Sequence, residues 1–279
     1  MIIQVGAGTL KEIEKFLKLG ADEFYCGLSY IPSHVEKAPN FSKQKDFIEA
    51  KKLLGRKKLF YVANEVQGEI IWEAIKAIEE LAEAGVDGFI IKDIAIFEEL
   101  KKRKLKLFTI LSTLSLCLNS YSLKFFKNYG IKRIALCEQI TPEEAKNIIK
   151  QIETEMFIKH RETCKMFNGI CFLNCHGEDS TACLKTYLND GKIFRMTTYS
   201  TRERLRQFYR FYKLGVNIVK IGRSPLFNLT QLIFSEAKLI SAIAEKAKTE
   251  DEFLSQALKA VNDYDKIYKK LSLKYRFIC

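Results

Sequence analysis

The hydrophobic positions of this chain form two alternating patterns. Short apolar runs of four to eight residues are followed by longer stretches in which apolar residues recur at every third or fourth position. The first pattern predicts buried β-strands and the second predicts amphipathic α-helices. Eight runs of the first kind occur, at residues 2–5, 22–27, 58–64, 87–93, 105–112, 132–138, 155–160 and 217–223.

The residues between these patterns support the assignment. Several glycines fall just past the last periodic residue of a predicted helix, where a left-handed residue ends the helix. They are Gly20, Gly55, Gly85, Gly130 and Gly215. The sequence Thr141-Pro142-Glu143-Glu144 has the features of a helix start, with a capping Thr, a Pro at the first helical position and a Glu at the third.

Strands that are buried on both faces and separated by single helices are typical of a parallel sheet. Eight such units in a chain of 279 residues predict a closed (β/α)8 barrel of the TIM type, with an open doubly wound sheet as the alternative. We expect the barrel to span residues 1–227, with a cysteine-rich insert at about 160–190. Residues 228–279 are expected to add helices that pack on the outside of the barrel.

The active sites of such barrels lie at the carboxyl ends of the strands. Most residues that directly follow the predicted strands are polar. The residues at the ends of the predicted strands are Gly6, Cys26, Gly27, Asn64, Asp93, Ser112, Thr113, Glu138, His160 and Arg223. Each has an ordinary role in a turn or a helix cap, but their convergence predicts a site at this mouth. We expect Asn64, Asp93 and Ser112 to contact a substrate.

The charge of the chain suggests an anionic partner. The formal net charge is +12, and 17 Lys and Arg against 8 Asp and Glu fall between Arg195 and the last residue. Arg202, Arg206 and Arg210 recur at every fourth position and form one helix stripe. This stripe is either a solvated outer face of the barrel or a surface that follows the phosphates of RNA.

The hydrophobic runs also indicate where in the cell we expect the protein to be. No apolar run reaches 18 residues, so we expect no membrane span. The start of the chain does not have the basic and apolar segments of a signal peptide, and we expect a cytoplasmic protein. In that reducing compartment, clustered cysteines bind metals or act in catalysis more often than they form disulfides.

Four of the eight cysteines lie between residues 160 and 183: Cys164, Cys171, Cys175 and Cys183. Only Cys171 and Cys175 have the close spacing of a zinc knuckle. Four thiolates with looser spacing favour a [4Fe–4S] cluster, with zinc as the alternative. Cys117 and Cys137 flank apolar residues and are expected in the core, whereas Cys26 at a strand end is a reserve ligand.

Short motifs on successive predicted strands resemble those of peptidase family U32, the collagenase-like proteins, over essentially the whole chain. They are GAGTLKE at 6–12, YCG at 25–27, PNF at 39–41, YVAN at 61–64, GVDGFIIKD at 85–93, CEQITPEEAKNI at 137–148, EMFIKHRETCKMFNGIC at 155–171 and VKIGR at 219–223. Each motif is weak alone, but their order along the strands makes the resemblance fairly specific.

Several members of this family are oxygen-independent hydroxylases that act on RNA bases or in anaerobic ubiquinone biosynthesis. The resemblance therefore implies a [4Fe–4S] cluster on four cysteines and prephenate as the oxygen donor. By motif position Cys164 and Cys171 carry over as ligands, and we assign Cys175 and Cys183 as the other two. Arg223 is expected to bind the anionic donor, with His160 and Glu138 as hydrogen-bonding or proton-transfer groups beside the cluster.

The family pattern is incomplete in this chain. Cys137 stands where the family has Arg before Glu138, and Arg161 stands where it has Gly after His160. The length is closer to that of the compact quinone-pathway members, so a paralogous subunit of the same family is a further expected partner. Two other functions stay open: a peptidase, as the family name suggests, and a non-enzymatic RNA-binding or scaffold protein with a structural zinc.

Overall fold

The computed structural model describes residues 1–31, 39–64, 66, 68–158, 187–194, 199–223 and 227–275. Its strands are Ile2–Gly6 (β1), Glu23–Cys26 (β2), Lys58–Ala63 (β3), Gly88–Ile91 (β4), Thr109–Leu111 (β5), Arg133–Ala135 (β6), Glu153–Phe157 (β7), Tyr187–Asn189 (β8), Lys192–Phe194 (β9) and Ile218–Ile221 (β10). Eight of them close a parallel barrel in the order β1, β10, β7, β6, β5, β4, β3, β2. The predicted TIM-type barrel is confirmed, and the open-sheet alternative is wrong because β1 pairs with both β10 and β2.

Helices connect the strands and cover the barrel. They are Leu10–Leu19 (α1), Gln44–Leu54 (α2), Ile70–Glu83 (α3), Ile94–Lys102 (α4), Ser120–Lys127 (α5), Pro142–Ile149 (α6), Thr201–Lys213 (α7), Phe227–Lys246 (α8) and Glu250–Tyr275 (α9). The predicted start of α6 is confirmed, because Thr141 and Glu144 form a capping box around Pro142. The five glycines predicted to end helices all have positive φ.

A β-hairpin was not predicted. Strands β8 and β9 pair antiparallel, and the two residues between them, Asp190 and Gly191, have φ values of 48° and 74°. An Asp-Gly pair is a strong local signal for this kind of tight turn. The sequence therefore contained the information for this hairpin.

The apolar interior has two parts. The larger one lies between the barrel and its helices. The smaller one lies inside the barrel, where side chains of β2 to β5 form a cluster of Tyr25, Phe60, Val62, Ile90 and Ile110. Charged side chains of β2, β6, β7 and β10 fill the rest of the interior, so the strands are buried on both faces as expected but are not apolar throughout.

The two helices at the end of the described chain pack on the outside of the barrel, as predicted. Helix α8 contacts α1 through the ring of Phe16, whose centroid lies 5.2 Å from Phe227 and 5.4 Å from Phe234. Helix α9 contacts α7 through Phe253, which stacks on Tyr209 at 4.8 Å. The domain boundary at residue 227 stays a prediction. Within the described ranges, no helix combines the length and the apolar character that a bilayer span needs.

Candidate active site at the barrel mouth

Arg223 ties the end of β10 to the segment that follows β2. Its Nη1 donates a hydrogen bond to the carbonyl oxygen of Pro39 at 2.9 Å and another to Oδ1 of Asn40. The same Asn40 oxygen accepts the backbone N–H of Gly27 at 3.1 Å. Three motifs of the family resemblance thus meet in one hydrogen-bonded cluster, which we call the Arg223 clamp (Gly27, Pro39, Asn40 and Arg223).

Glycine is required where the clamp passes close to the backbone. A Cβ atom on Gly6 would overlap the side chain of Arg223, and a Cβ atom on Gly8 would overlap the carbonyl group of Pro39. Gly222 differs, because among the described residues only Phe157 Cε1, at 3.9 Å, lies within 4 Å of a Cβ built there. The wall of the mouth beside β1 and β10 is therefore lined by backbone, by the stem of Arg223 and by the ring of Tyr25.

Asn64 directly follows β3, which is separated from β1 by β2 alone in the ring of strands. Alternation along this strand places it on the same face as Phe60 and Val62, which point into the barrel. Asn64 is 7% exposed, and its Oδ1 has no hydrogen-bond partner among the described residues. A buried amide oxygen without a partner costs free energy. Among the described rim residues, Asn64 therefore has a buried polar atom that is available to a ligand.

The other two predicted substrate contacts have local hydrogen-bonding roles. Asp93 accepts the backbone N–H of Val66 at 3.1 Å, which ties the loop after β3 to the end of β4. Ser112 is buried, and its Oγ accepts the N–H of Leu114 at 3.3 Å at the start of a short 3-10 helix, Thr113–Ser115. Both residues lie at the rim as predicted, and their contact with a substrate stays a prediction.

Glu138 is half-buried and follows the end of β6 by three residues. The neighbouring loop is tied to the end of β5, because Thr113 Oγ1 donates to the carbonyl oxygen of Leu136 at 3.1 Å. This position at the carboxyl edge agrees with a role at the mouth. His160 and the predicted ligands Cys164, Cys171, Cys175 and Cys183 lie outside the described residues and follow β7 in sequence.

The three described cysteines belong to no group of three metal-binding side chains within the described ranges. All are buried with free thiols: Cys26, Cys117 and Cys137. Burial raises the pKa of Cys26 to about 12 and that of Cys117 to about 12, so both thiols stay protonated at neutral pH. In the described part of the chain, no three His, Cys, Asp or Glu side chains are grouped to hold a metal ion. The role of Cys26 as a reserve ligand stays a prediction.

Sequence reasoning missed a network of charges inside the barrel, which we call the interior ion network (Gln4, Glu23, Arg133, Glu155 and Lys220). Arg133 donates to both oxygens of Glu23, at 2.6 and 3.1 Å, and to Glu155 at 3.3 Å. Lys220 Nζ donates to Glu155 at 2.7 Å. Strands β6 and β2 lie on opposite sides of the ring, so the pair of Arg133 and Glu23 crosses the barrel.

The interior ion network is electrically balanced, with two buried acids and two buried bases. Burial alone would raise the pKa of Glu23, but the hydrogen bonds and charge of Arg133 outweigh it and hold this pKa below its usual value. Burial lowers the pKa of Lys220, and Glu155 offsets only part of this effect. Gln4 Nε2 donates to Glu23 and Glu155, both at 3.1 Å. Charged residues within otherwise apolar strands were the sequence signal for this network.

The arginine stripe of α7 is largely paired. Arg206 Nε and Arg210 Nε donate to the two oxygens of Glu250, at 2.8 and 2.9 Å, and Arg206 also contacts Glu203. Glu250 is the first residue of α9, so these pairs fasten α9 to α7. Arg202 is exposed. These contacts favour the interpretation of α7 as an outer helix of the barrel.

Comparison with known proteins identifies relatives. The sequence model of peptidase family U32 matches residues 8–221. The tRNA hydroxylation protein P of Helicobacter pylori strain J99 is 27% identical over 177 residues, which cover 60% of this chain and 41% of that protein. The protein of the same name from Escherichia coli K12 is 26% identical over 174 residues, 60% of this chain and 38% of its own length. The chain thus spans about two fifths of these curated relatives.

Solved structures share the fold. The U32 peptidase Mk0906 superposes with a TM-score of 0.54 at 9% identity and covers 80% of this chain and 93% of its own. Dihydrodipicolinate synthase from Oceanobacillus iheyensis also superposes with a TM-score of 0.54, at 10% identity. The match covers 95% of this chain and 79% of that chain. At these identities the likeness concerns the barrel architecture alone.

Proposed function

The chain belongs to peptidase family U32, and we propose from this membership that it is an oxygen-independent hydroxylase, or a subunit of one, that acts on an RNA base. The observation that carries the proposal is the similarity to proteins named for tRNA hydroxylation, which extends over 60% of this chain. A quinone precursor is the second substrate that the family resemblance suggested. The relatives' names favour RNA over the quinone precursor.

In this proposal the [4Fe–4S] cluster is held by Cys164, Cys171, Cys175 and Cys183. The three described cysteines belong to no group of metal-binding side chains among the described residues, and four clustered cysteines are the usual complement of such a centre. When bound, the cluster supplies one-electron chemistry that protein side chains lack. A single zinc ion is the alternative occupant.

The residues of the rim have separate roles in this proposal. Asn64 offers its unpartnered Oδ1 to a hydrogen-bond donor of the substrate and so orients it. Arg223 holds the rim closed through the clamp and presents a guanidinium to an anionic oxygen donor such as prephenate, because its planar fork suits a carboxylate. Glu138 and His160 are proposed to hold or move protons beside the cluster.

Anaerobic purification followed by iron and acid-labile sulfide analysis tests the cofactor. The proposal expects a brown protein with iron and sulfide, and loss of both in Cys164→Ser with the barrel still folded. RNA from a host that lacks its own hydroxylase is then analysed by nucleoside mass spectrometry, with and without this chain. A colourless protein that contains one zinc and adds no oxygen to any nucleoside would overturn the proposal.

The role of Arg223 is tested by comparing two variants. Arg223→Lys keeps a cation but removes the fork, and Asn40→Ala weakens the clamp without touching the cation. If Arg223 binds the donor, Arg223→Lys loses turnover while its iron content and melting temperature stay near those of Asn40→Ala. Equal losses of activity in both variants would mean that the clamp, and not donor binding, is what matters.

Because the family is named for peptidases, peptidase activity is tested as the alternative function. All three histidines of the chain, His34, His160 and His176, lie outside the described residues. Incubation with casein and with denatured collagen, followed by mass spectrometry of the products, separates the two functions. Cleavage that persists in the cluster-free Cys164→Ser variant would favour a peptidase, and its absence would favour the hydroxylase. Co-purification of a second U32 chain would reveal a required partner.

A further inference from the structure

One long stretch of the chain contains no acidic residue. Between Glu99 and Glu138 there is no Asp or Glu, while nine Lys and Arg occur. Over the whole chain, by contrast, 46 basic residues are accompanied by 34 acidic ones. The stretch contains the end of α4, strand β5, helix α5 and strand β6. Its charge is therefore concentrated on one sector of the barrel.

Most of these cations lie on the surface without an acidic neighbour. Arg133 belongs to the interior ion network, Lys102 pairs with Glu99, and Arg103 pairs with Glu79. The other six are exposed, and none is within ion-pair distance of a carboxylate in the described part of the chain. They are Lys101, Lys104, Lys106, Lys124, Lys127 and Lys132. This sector differs from α7, where Glu250 pairs with two of the three arginines.

Two exposed aromatic rings lie on the same sector. Tyr121 is 85% exposed and Phe125 is 45% exposed, and they stand one turn apart on the outer face of α5, next to Lys124. The opposite face of the helix buries Leu123 and Phe126. A single exposed aromatic residue is common, but two in one row beside lysines form a patch that calls for a partner.

The ring of Phe125 is held in place by its neighbours. Phe125 packs against Phe126 at 5.2 Å and against Tyr129 at 5.5 Å, both nearly edge to face. The hydroxyl of Tyr129 donates to Glu98 of α4 at 2.7 Å, and Lys101 lies 5.4 Å from the centre of its ring. Helices α4 and α5 are thus connected through Tyr129. Because these contacts already restrict the ring of Phe125, it loses little conformational entropy when it stacks on a ligand.

The orientation of α5 connects this sector to the barrel mouth. Asn119, which caps α5, follows the rim residues Ser112 and Thr113, so Tyr121 lies at the mouth end of the helix. Lys127 and Lys132 lie at the other end, before β6 begins. A chain bound along α5 would therefore lead toward the carboxyl edge of the barrel.

We propose that this sector, the α4–α5 surface (Lys101, Lys104, Lys106, Lys124, Lys127, Lys132, Tyr121 and Phe125), binds single-stranded or loop RNA. Lysines contact phosphates, and the two rings stack on unpaired bases, which is how proteins hold single strands without reading a sequence. The choice of RNA among polyanions rests on the proposed function. Stacking distinguishes it from an acidic protein, which would use the lysines alone.

The test is fluorescence anisotropy of labelled oligouridine with the anaerobically purified protein over a series of salt concentrations. Each lost phosphate contact lowers the salt slope for a single strand by about 0.7, so the double variant Lys124→Gln, Lys127→Gln is expected to lower it by about 1.4. Tyr121→Ala is expected to weaken binding about 5- to 150-fold, with the salt slope unchanged. Tyr121→Phe should keep the affinity because it keeps the ring.

Two matched controls lie away from this surface. Arg202→Gln removes an exposed cation from α7, and Tyr199→Ala removes an exposed ring just before α7. Both should leave the affinity and the salt slope unchanged. If Arg202→Gln changes the slope and the double lysine variant does not, RNA binds at α7 and the proposal is wrong. If poly-glutamate competes as well as oligouridine and Tyr121→Ala binds normally, the surface takes an acidic protein instead.

Hydroxylation is measured on the same variants, so that failure of the surface and failure of the proposed function give different results. If the double variant still binds RNA and hydroxylates it as the wild type does, the surface is wrong and the function stands. If the wild type hydroxylates no nucleoside but loses RNA binding in the double variant, the surface stands and the function is wrong.

Discussion

The charged groups inside the barrel and the buried amide of Asn64 at its rim differ in how well they are paired. In the interior ion network, each of the four charged groups has a partner of opposite charge within 3.3 Å. At the rim, Asn64 is almost as deeply buried, yet its Oδ1 has no partner among the described residues. Satisfied polar groups support a fold, whereas an unsatisfied one makes no stabilising contact there. The paired charges therefore support the fold, and the role of the rim in ligand binding stays a proposal.

Removal of the central cation of the interior should have the largest effect. Arg133→Met leaves Glu23 buried without its main partner and removes one of the two cations that contact Glu155, and should lower the free energy of unfolding by about 3–5 kcal/mol. Urea denaturation measures this change. Arg103→Met is the matched control, because Arg103 also makes two bonds to one carboxylate but is 38% exposed. The control should lose less than about 1 kcal/mol, and similar losses would contradict the comparison.

The packing of the Arg223 clamp should give the next largest effect. Gly8→Ala forces a Cβ atom into the carbonyl group of Pro39, and should lower the free energy of unfolding by about 1–3 kcal/mol. Gly222→Ala meets only an ordinary contact with Phe157 and should be close to neutral. Thermal unfolding of both variants tests this difference. A neutral Gly8→Ala would show that the segment around Pro39 can move away from β1.

Glu23 of the interior ion network should also make the free energy of unfolding depend on pH. Because Arg133 holds the pKa of Glu23 below its unfolded value, this carboxylate stabilises the protein above that unfolded value. The stabilisation is lost as the pH falls through the lower, folded-state pKa. Glu23→Gln should therefore flatten the acid side of a plot of melting temperature against pH. An unchanged acid side would mean that other carboxylates dominate acid unfolding.

The outer ion pairs of α7 should contribute less. Glu250→Gln weakens the bonds to Arg206 and Arg210, which are all partly exposed, and should cost less than about 1 kcal/mol in urea denaturation. The same variant releases two arginines on α7. If oligouridine binding becomes tighter by a large factor, α7 contributes to RNA binding. If RNA binds at the α4–α5 surface, as we propose, Glu250→Gln should bind oligouridine with unchanged affinity.

The smallest effect on stability is expected at the rim. Asn64→Leu removes the unpartnered amide, so the free energy of unfolding should change by less than about 1 kcal/mol or rise slightly. RNA hydroxylation should nevertheless be lost. Thr109→Val is the control, since Thr109 Oγ1 is also buried without a partner in the described chain but belongs to a strand. This variant should keep both stability and activity, and a large loss of stability in Asn64→Leu would give Asn64 a structural role.

Much of the fold could be read from the sequence because its signals are local. Apolar periodicity predicted the eight barrel strands, and the glycines and the Thr141 capping box marked helix ends that the structure confirms. A TIM barrel places all strand ends at one edge, so the rim positions of Asn64, Asp93, Ser112, Glu138 and Arg223 followed from strand order alone. The sequence also contained the acid-free stretch between Glu99 and Glu138.

The pairing of distant residues was decided only by the tertiary structure. Arg133 and Glu23 are 110 positions apart and meet because barrel closure sets their strands opposite each other. Arg223 and Asn40 are 183 positions apart and meet because β10 returns beside β1. Likewise, the sequence alone left open that the α7 arginines form a free basic face. The structure shows that Glu250 of α9 lies between Arg206 and Arg210 and pairs with both. Periodicity reports which face of an element is buried, but the partner on that face depends on how the ring of strands closes.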